Sequence, residues 1–169
     1  MKLPPAVVAL LTAVLGGLTL FLFPTLDLGF FSAGSAKIAG LFCGAHPLRV
    51  DEGWLLSLRH HSVMITAECS GSHYFLIVAV LMSWQFARRG MSAGLAIIAG
   101  LSAAVPVALV TNSLRIVSVV QMHGWVIPHF PATYAPFLHL LTGVAVFLPS
   151  LIALNLLLES DGNPAPARR

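Results

Sequence analysis

Residues 91–121 read MSAGLAIIAGLSAAVPVALVTNSLRIVSVVQ, and Arg115 is the only charged residue among them. A helix crossing a hydrocarbon core about 30 Å thick needs roughly 20 predominantly apolar residues. This stretch exceeds that length, and Pro106 near its middle predicts a kink in one continuous helix. The surrounding composition agrees with a membrane protein. Of 169 residues, 57% are hydrophobic and only 9% are charged. A soluble domain carries about 25% charged residues, so this chain cannot build an ordinary water-facing surface. Disorder is excluded as well, because it requires low hydrophobicity and abundant charge.

Three further apolar runs flank the first, at about 6–26, 72–87 and 136–158. The first is long and has Lys2 as the only basic residue ahead of it, which predicts a retained anchor. Ser32-Ala33-Gly34 imitates the cleavage site that a removed signal peptide would carry. With four spans, Lys2, Arg88-Arg89 and Arg168-Arg169 fall on one side, which the positive-inside rule makes cytoplasmic. Lys37, Arg49, Arg59 and Arg115 fall on the other side, so the bias is modest. The net charge of +3 is unclustered and gives no nucleic-acid site.

Both large connections, about 27–70 and 122–136, then face outward. Phe30 to Phe42 mixes small and apolar residues and predicts a helix on the membrane surface or partly re-entrant. In residues 48–66, Val50, Trp54, Leu56, Leu58, Val63 and Ile65 alternate around Arg59-His60-His61-Ser62, which predicts an outer-face β-hairpin. The expected fold is an all-α polytopic membrane protein with about four transmembrane helices, an outer amphipathic helix and a small hairpin. Residues 1–160 form a single membrane domain, and 161–169 a cytoplasmic tail.

Depth brings the chemically capable residues together. At 1.5 Å per residue, Cys69 lies about 29 Å before Arg88, and His139 about 29 Å before Leu158. Arg115 lies about 39 Å beyond Arg89, before tilt or kink is subtracted. All three reach the outer boundary. Cys69 stands in Glu68-Cys69-Ser70-Gly71 at a loop-to-helix junction, where helix amides favour negative charge and the Glu68 carboxylate opposes it. Asn112 precedes Arg115 by one turn on the same face, placed to orient it or to share its target. Gly143 and Phe147 follow His139 at four-residue steps, and Gly143 lets another helix approach.

Each residue also has a plain reading: a buried membrane cysteine, an arginine reaching toward headgroups, an interfacial histidine. The set makes chemical sense as a thiolate nucleophile, an imidazole proton carrier and a guanidinium that stabilises an oxyanion. A metal site built from His46, His60, His61, His73, His123, His129 or His139 finds no HxxxH or HExxH spacing to support it. Cys43 and Cys69 lack CxxC spacing for a redox pair; a structural disulfide between them would disable the nucleophile.

Ala67-Glu68-Cys69-Ser70-Gly71, Asn112-Ser113-Leu114-Arg115-Ile116 and His139-Leu140-Leu141-Thr142-Gly143 with Phe147 resemble, in order and placement, the exosortase/archaeosortase family. The small size is similar to the short K-type exosortases, and the resemblance spans roughly residues 40–158. It implies a cysteine transpeptidase of the bacterial inner membrane whose active site faces the periplasm and which needs no cofactor. Its implied partners are membrane lipids and an exported protein ending in a Pro-Glu-Pro-like motif, an apolar helix and a basic tail, which is passed to an envelope acceptor. On this resemblance Cys69 is the nucleophile, Arg115 and His139 complete the active set, and Asn112, with Glu68, Ser70 and Gly71, supports it. This chain has fewer spans than larger members. The competing expectation is a non-enzymatic scaffold or transporter subunit whose Arg115 binds an anionic lipid or solute.

Overall fold

The computed structural model describes residues 3–23, 27–58, 62–66, 69–125 and 131–160. Helix α1 spans Pro5–Leu22. A π-helical turn, Asp27–Ser32, leads into α2, Ala33–Cys43. Three strands follow: β1 (Pro47–Val50), β2 (Gly53–Ser57) and β3 (Ser62–Ile65). Helices α3 (Ser72–Arg88), α4 (Ala93–Trp125) and α5 (Ala135–Ser160) complete the chain. Among the described residues, three helical segments are long and apolar enough to cross a membrane: Pro5–Leu22, Ala93–Met122 and Pro136–Ser160. The 17-residue α3 reaches about 26 Å, somewhat less than a hydrocarbon core.

α3 is the most enclosed of the helices, packed by α1, α4 and α5. Its Tyr74, Phe75, Val78, Ala79 and Met82 form a buried cluster with Phe31, Ala104 and Ala108. α1 buries Val8, Thr12 and Gly16 along one face, and a Cβ at Gly16 would lie 2.6 Å from Leu76. The opposite faces are strongly apolar and open, with Leu10, Phe21, Ile98, Leu140 and Leu157 each more than 60% exposed. Lipid is the solvent that suits such faces, since a helix pairs most of its backbone polar groups within itself.

α3 and α4 run antiparallel. Ser83 meets Gly100 at one end, and Gly71 meets Asn112 at the other. α4 continues through Pro106 without interruption over 33 residues. It therefore overshoots the start of α3 by about 20 Å, and this overhang carries the rest of the fold. α2 and the sheet pack against it, with Leu56 and Ile65 buried among Ala36, Ala39, Ile116 and Val120. The other ends of the bundle are also tied: Gln85 Nε2 donates to Asn155 Oδ1 at 3.0 Å, and the Arg89 guanidinium donates to the Leu158 carbonyl.

Two expectations change. The anticipated hairpin is a three-stranded antiparallel meander in the order β1-β2-β3. Val50 pairs with Gly53, so Asp51-Glu52 forms a two-residue turn. Trp54 pairs with Arg49 and shares its face, so the turn reverses the alternation, although the even spacing from Val50 to Trp54 reads as one strand. The expected surface helix is instead packed into the core by its small residues. Ser35, Ala36, Ala39 and Gly40 of α2 are buried, while Leu41 and Phe42 are the exposed ones.

A Cβ on Gly100 would lie 2.0 Å from Ser83 Oγ and 2.8 Å from its backbone nitrogen, whereas Gly94 has nothing within 4 Å. Gly100→Leu is expected to lower the thermal midpoint in detergent by the equivalent of about 1–3 kcal/mol. Gly94→Leu leaves the midpoint in place.

Candidate functional site

The overhang of α4 begins at Asn112, which is fully buried. Its Nδ2 shares two hydrogens among three acceptors: the Cys69 carbonyl at 2.7 Å, the Ser70 carbonyl at 3.0 Å and Ser35 Oγ at 3.0 Å. The amide is thus committed to the Cys69 loop and to α2. It does not orient Arg115, as the spacing had suggested. Cys69 N–H donates to the Thr66 carbonyl at 3.0 Å, which closes the loop from the sheet side. Ser70 Oγ accepts the Ser72 N–H at 3.3 Å, so it satisfies one of the open donors at the start of α3.

Gly71 makes this clamp possible. It adopts a φ of +80°, a region that disfavours residues with a Cβ. A Cβ there would also lie 2.7 Å from Asn112 Cγ. Backbone conformation and close approach therefore demand glycine independently.

One turn further along α4, Arg115 turns toward α5. Its Nη2 donates to His139 Nε2 at 2.8 Å. A guanidinium has donors only, so Nε2 must be the acceptor and the imidazole proton lies on Nδ1. The guanidinium also sits 5.5 Å from the Phe147 ring centroid. Phe147 in turn stacks on Tyr74 at 4.4 Å, and the Tyr74 hydroxyl bonds Ser150. Gly143 leaves the room: a Cβ there would be 3.3 Å from Arg115 Nε. That Nε is buried and has no hydrogen-bond partner among the described residues.

Cys69, Arg115 and His139 border a single crevice, together with Val63, Met64, Ile65, Ile116 and Val119. Its volume is about 20 Å³, enough for one oxygen-sized occupant. The residues placed at one depth by helix rise thus converge. Ser70, Gly71 and Asn112 form the layer behind them. Glu68, Arg59, His60, His61, His129 and 161–169 lie outside the described residues, as does the His123 side chain. Among the described residues no three His, Cys, Asp or Glu side chains gather as metal ligands.

Both cysteines are free thiols. Burial pushes the Cys43 thiol above its usual value, so at neutral pH it stays protonated and weakly nucleophilic. The sequence reading missed Ser35 and Tyr74. Ser35 stands in a run of small residues whose partner helix follows 77 positions later. Tyr74 reads as one more aromatic of an apolar span.

Comparison of the chain with protein-family models, with curated proteins and with solved structures finds no match. The functional reading therefore stands on the site's own chemistry and on the ordered motifs.

Asn112→Ala removes the donor to two carbonyls and is expected to destabilise the protein by about 2–4 kcal/mol, since each buried group left unpaired costs about 1–3 kcal/mol. Asn112→Asp sets a carboxylate against those carbonyls and falls lower still; thermal unfolding in detergent ranks the two. With Cys69→Ala, the remaining thiol, Cys43, is expected to alkylate slowly at pH 7. Its rate keeps climbing as pH rises past 9, the ordinary thiol value, because its thiolate forms only above that value.

Proposed function

We propose that this chain is a membrane cysteine transpeptidase of the exosortase kind, with Cys69 as nucleophile. The observation that carries the reading is one crevice of oxygen-atom size bordered by Cys69, Arg115 and His139. A thiol, an imidazole and a guanidinium on three separate segments have no packing reason to meet at one boundary. Acyl transfer needs those three groups at one place.

In the proposed reaction the scissile carbonyl oxygen enters the crevice and draws the Arg115 guanidinium from His139 Nε2 to itself. The freed Nε2 accepts the Cys69 proton. Sγ attacks the carbonyl carbon, and the guanidinium, including its unpartnered Nε, stabilises the oxyanion. The C–N bond then breaks, and the proton passes from the imidazole to the leaving amine. A thioester remains on Cys69. An acceptor nucleophile gives its proton to His139, attacks the thioester carbonyl and regenerates the thiol. Asn112 acts through the backbone of Cys69 and Ser70 and is a positioning residue.

The proposed substrate is an exported protein with a Pro-Glu-Pro-like motif, an apolar helix and a basic tail. In the proposed setting the chain crosses the bacterial inner membrane four times, with the short α3 as the fourth span. The site faces the periplasm, and Arg88-Arg89 lies inside. The arrangement of basic residues and the antiparallel packing of α3 on α4 support this. The Arg89 guanidinium donates to the Leu158 carbonyl, which joins the ends of α3 and α5.

Incubation of the reconstituted protein with such a tailed polypeptide tests the reading. Wild type is expected to yield cleaved product and a mass adduct on Cys69. Cys69→Ala abolishes both while the protein remains folded. Arg115→Lys, which loses the planar donor fork, and His139→Gln are each expected to lower turnover by about 10²–10³. Unaltered processing by Cys69→Ala would instead favour a scaffold whose guanidinium binds anions.

A further inference from the structure

The crevice has a second property that the reaction above does not use. Val63, Met64 and Ile65 all border it, and they are three consecutive residues of β3. Side chains alternate between the two faces of a strand. Val63 and Ile65 therefore face the same side of the sheet, and Met64 between them borders the same space. β2 occupies one edge of β3, with Leu55 opposite Met64 and Leu56 opposite Val63. The other edge belongs to the same three residues that border the crevice. Among the described residues no strand pairs with that edge, and β3 ends the sheet.

An unpaired edge presents a row of backbone donors and acceptors, which templates another extended chain. Here the strand leads into Thr66, whose carbonyl accepts the Cys69 N–H at 3.0 Å. Ile65 anchors the strand in the core at 1% exposure, whereas Met64 is 41% exposed. Paired strands lie about 4.8 Å apart, so a strand added to this edge runs beside the residues that border the crevice.

We infer that β3 binds the substrate by strand addition: the peptide around the scissile bond pairs as a fourth, extended strand on the free edge of β3, which lowers its carbonyl into the crevice. The inference rests on the transpeptidase reading and names the conformation that this site selects. The substrate is recognised through its backbone, so unstructured polypeptide is accepted and folded domains are refused. Alternate residues of the bound peptide turn their N–H toward β3, and the intervening ones turn away.

The alternation supplies the test, with the enzyme left unaltered. The probe is a synthetic peptide carrying a Pro-Glu-Pro segment, an apolar helix of about 20 residues and an arginine-rich tail, presented to the protein in liposomes. Single N-methyl groups are placed in turn on the non-proline residues flanking the cleaved bond, and Cys69 acylation is followed by intact mass. Methylation at alternate residues is expected to slow acylation about tenfold each, the loss of one hydrogen bond. At the intervening residues the rate stays within about twofold. A scan without alternation, with Cys69 still acylated, overturns strand addition and leaves the transpeptidase reading intact. No acylation by the unmethylated peptide overturns both.

Discussion

The fold turns on the mismatch in length between α3 and α4. An antiparallel pair of unequal helices leaves an unpaired end, and an unpaired apolar helix end at a membrane boundary must be covered. α2, the sheet and the first turns of α5 cover it. The Asn112 amide stands where cover and bundle meet, holding the Cys69 and Ser70 carbonyls with one nitrogen. Without those hydrogen bonds the loop has no reason to pass so close to α4, and only the positive φ of Gly71 would still call for glycine there.

The same overhang explains why polar groups concentrate here. Within the bundle, polar side chains are spent on tying helices together, as in Gln85 with Asn155. Beyond Asn112, α4 faces α5 through Arg115, and the charge is held by an imidazole and an aromatic ring. The hydrogen bond from Arg115 fixes the tautomer of His139 and keeps its Nε2 occupied at rest. On the proposed mechanism a carbonyl oxygen releases that bond, which couples substrate entry to the appearance of a base.

Much of this was legible because a helix has a fixed rise. Counting residues from Arg88-Arg89 and from the end of α5 is enough to put Cys69, Arg115 and His139 at one level, and the structure places them on one crevice. What the sequence hides is sideways placement. Ser35 sits in a segment of small residues that reads as a surface helix, because nothing local shows that its small face is buried against α4. The Asp51-Glu52 turn is masked because Val50 and Trp54 stand at an even spacing that reads as one strand, although the turn puts them on opposite faces. Asn112 lies on the face of Arg115, yet its partner is a loop 43 residues earlier, a contact no periodicity encodes. The free edge of β3 emerges only once strand order is known.

The central claim is that the Cys69 sulfur and the His139 ring share one small space in the membrane-embedded protein. The direct measurement uses the Cys43→Ala, His139→Cys double variant in native membranes, treated with the shortest bifunctional thiol reagent. The account predicts an intramolecular cross-link between positions 69 and 139 in most molecules, blocked by prior alkylation of Cys69. If both thiols instead react separately with a monofunctional reagent and never cross-link, the claim is contradicted.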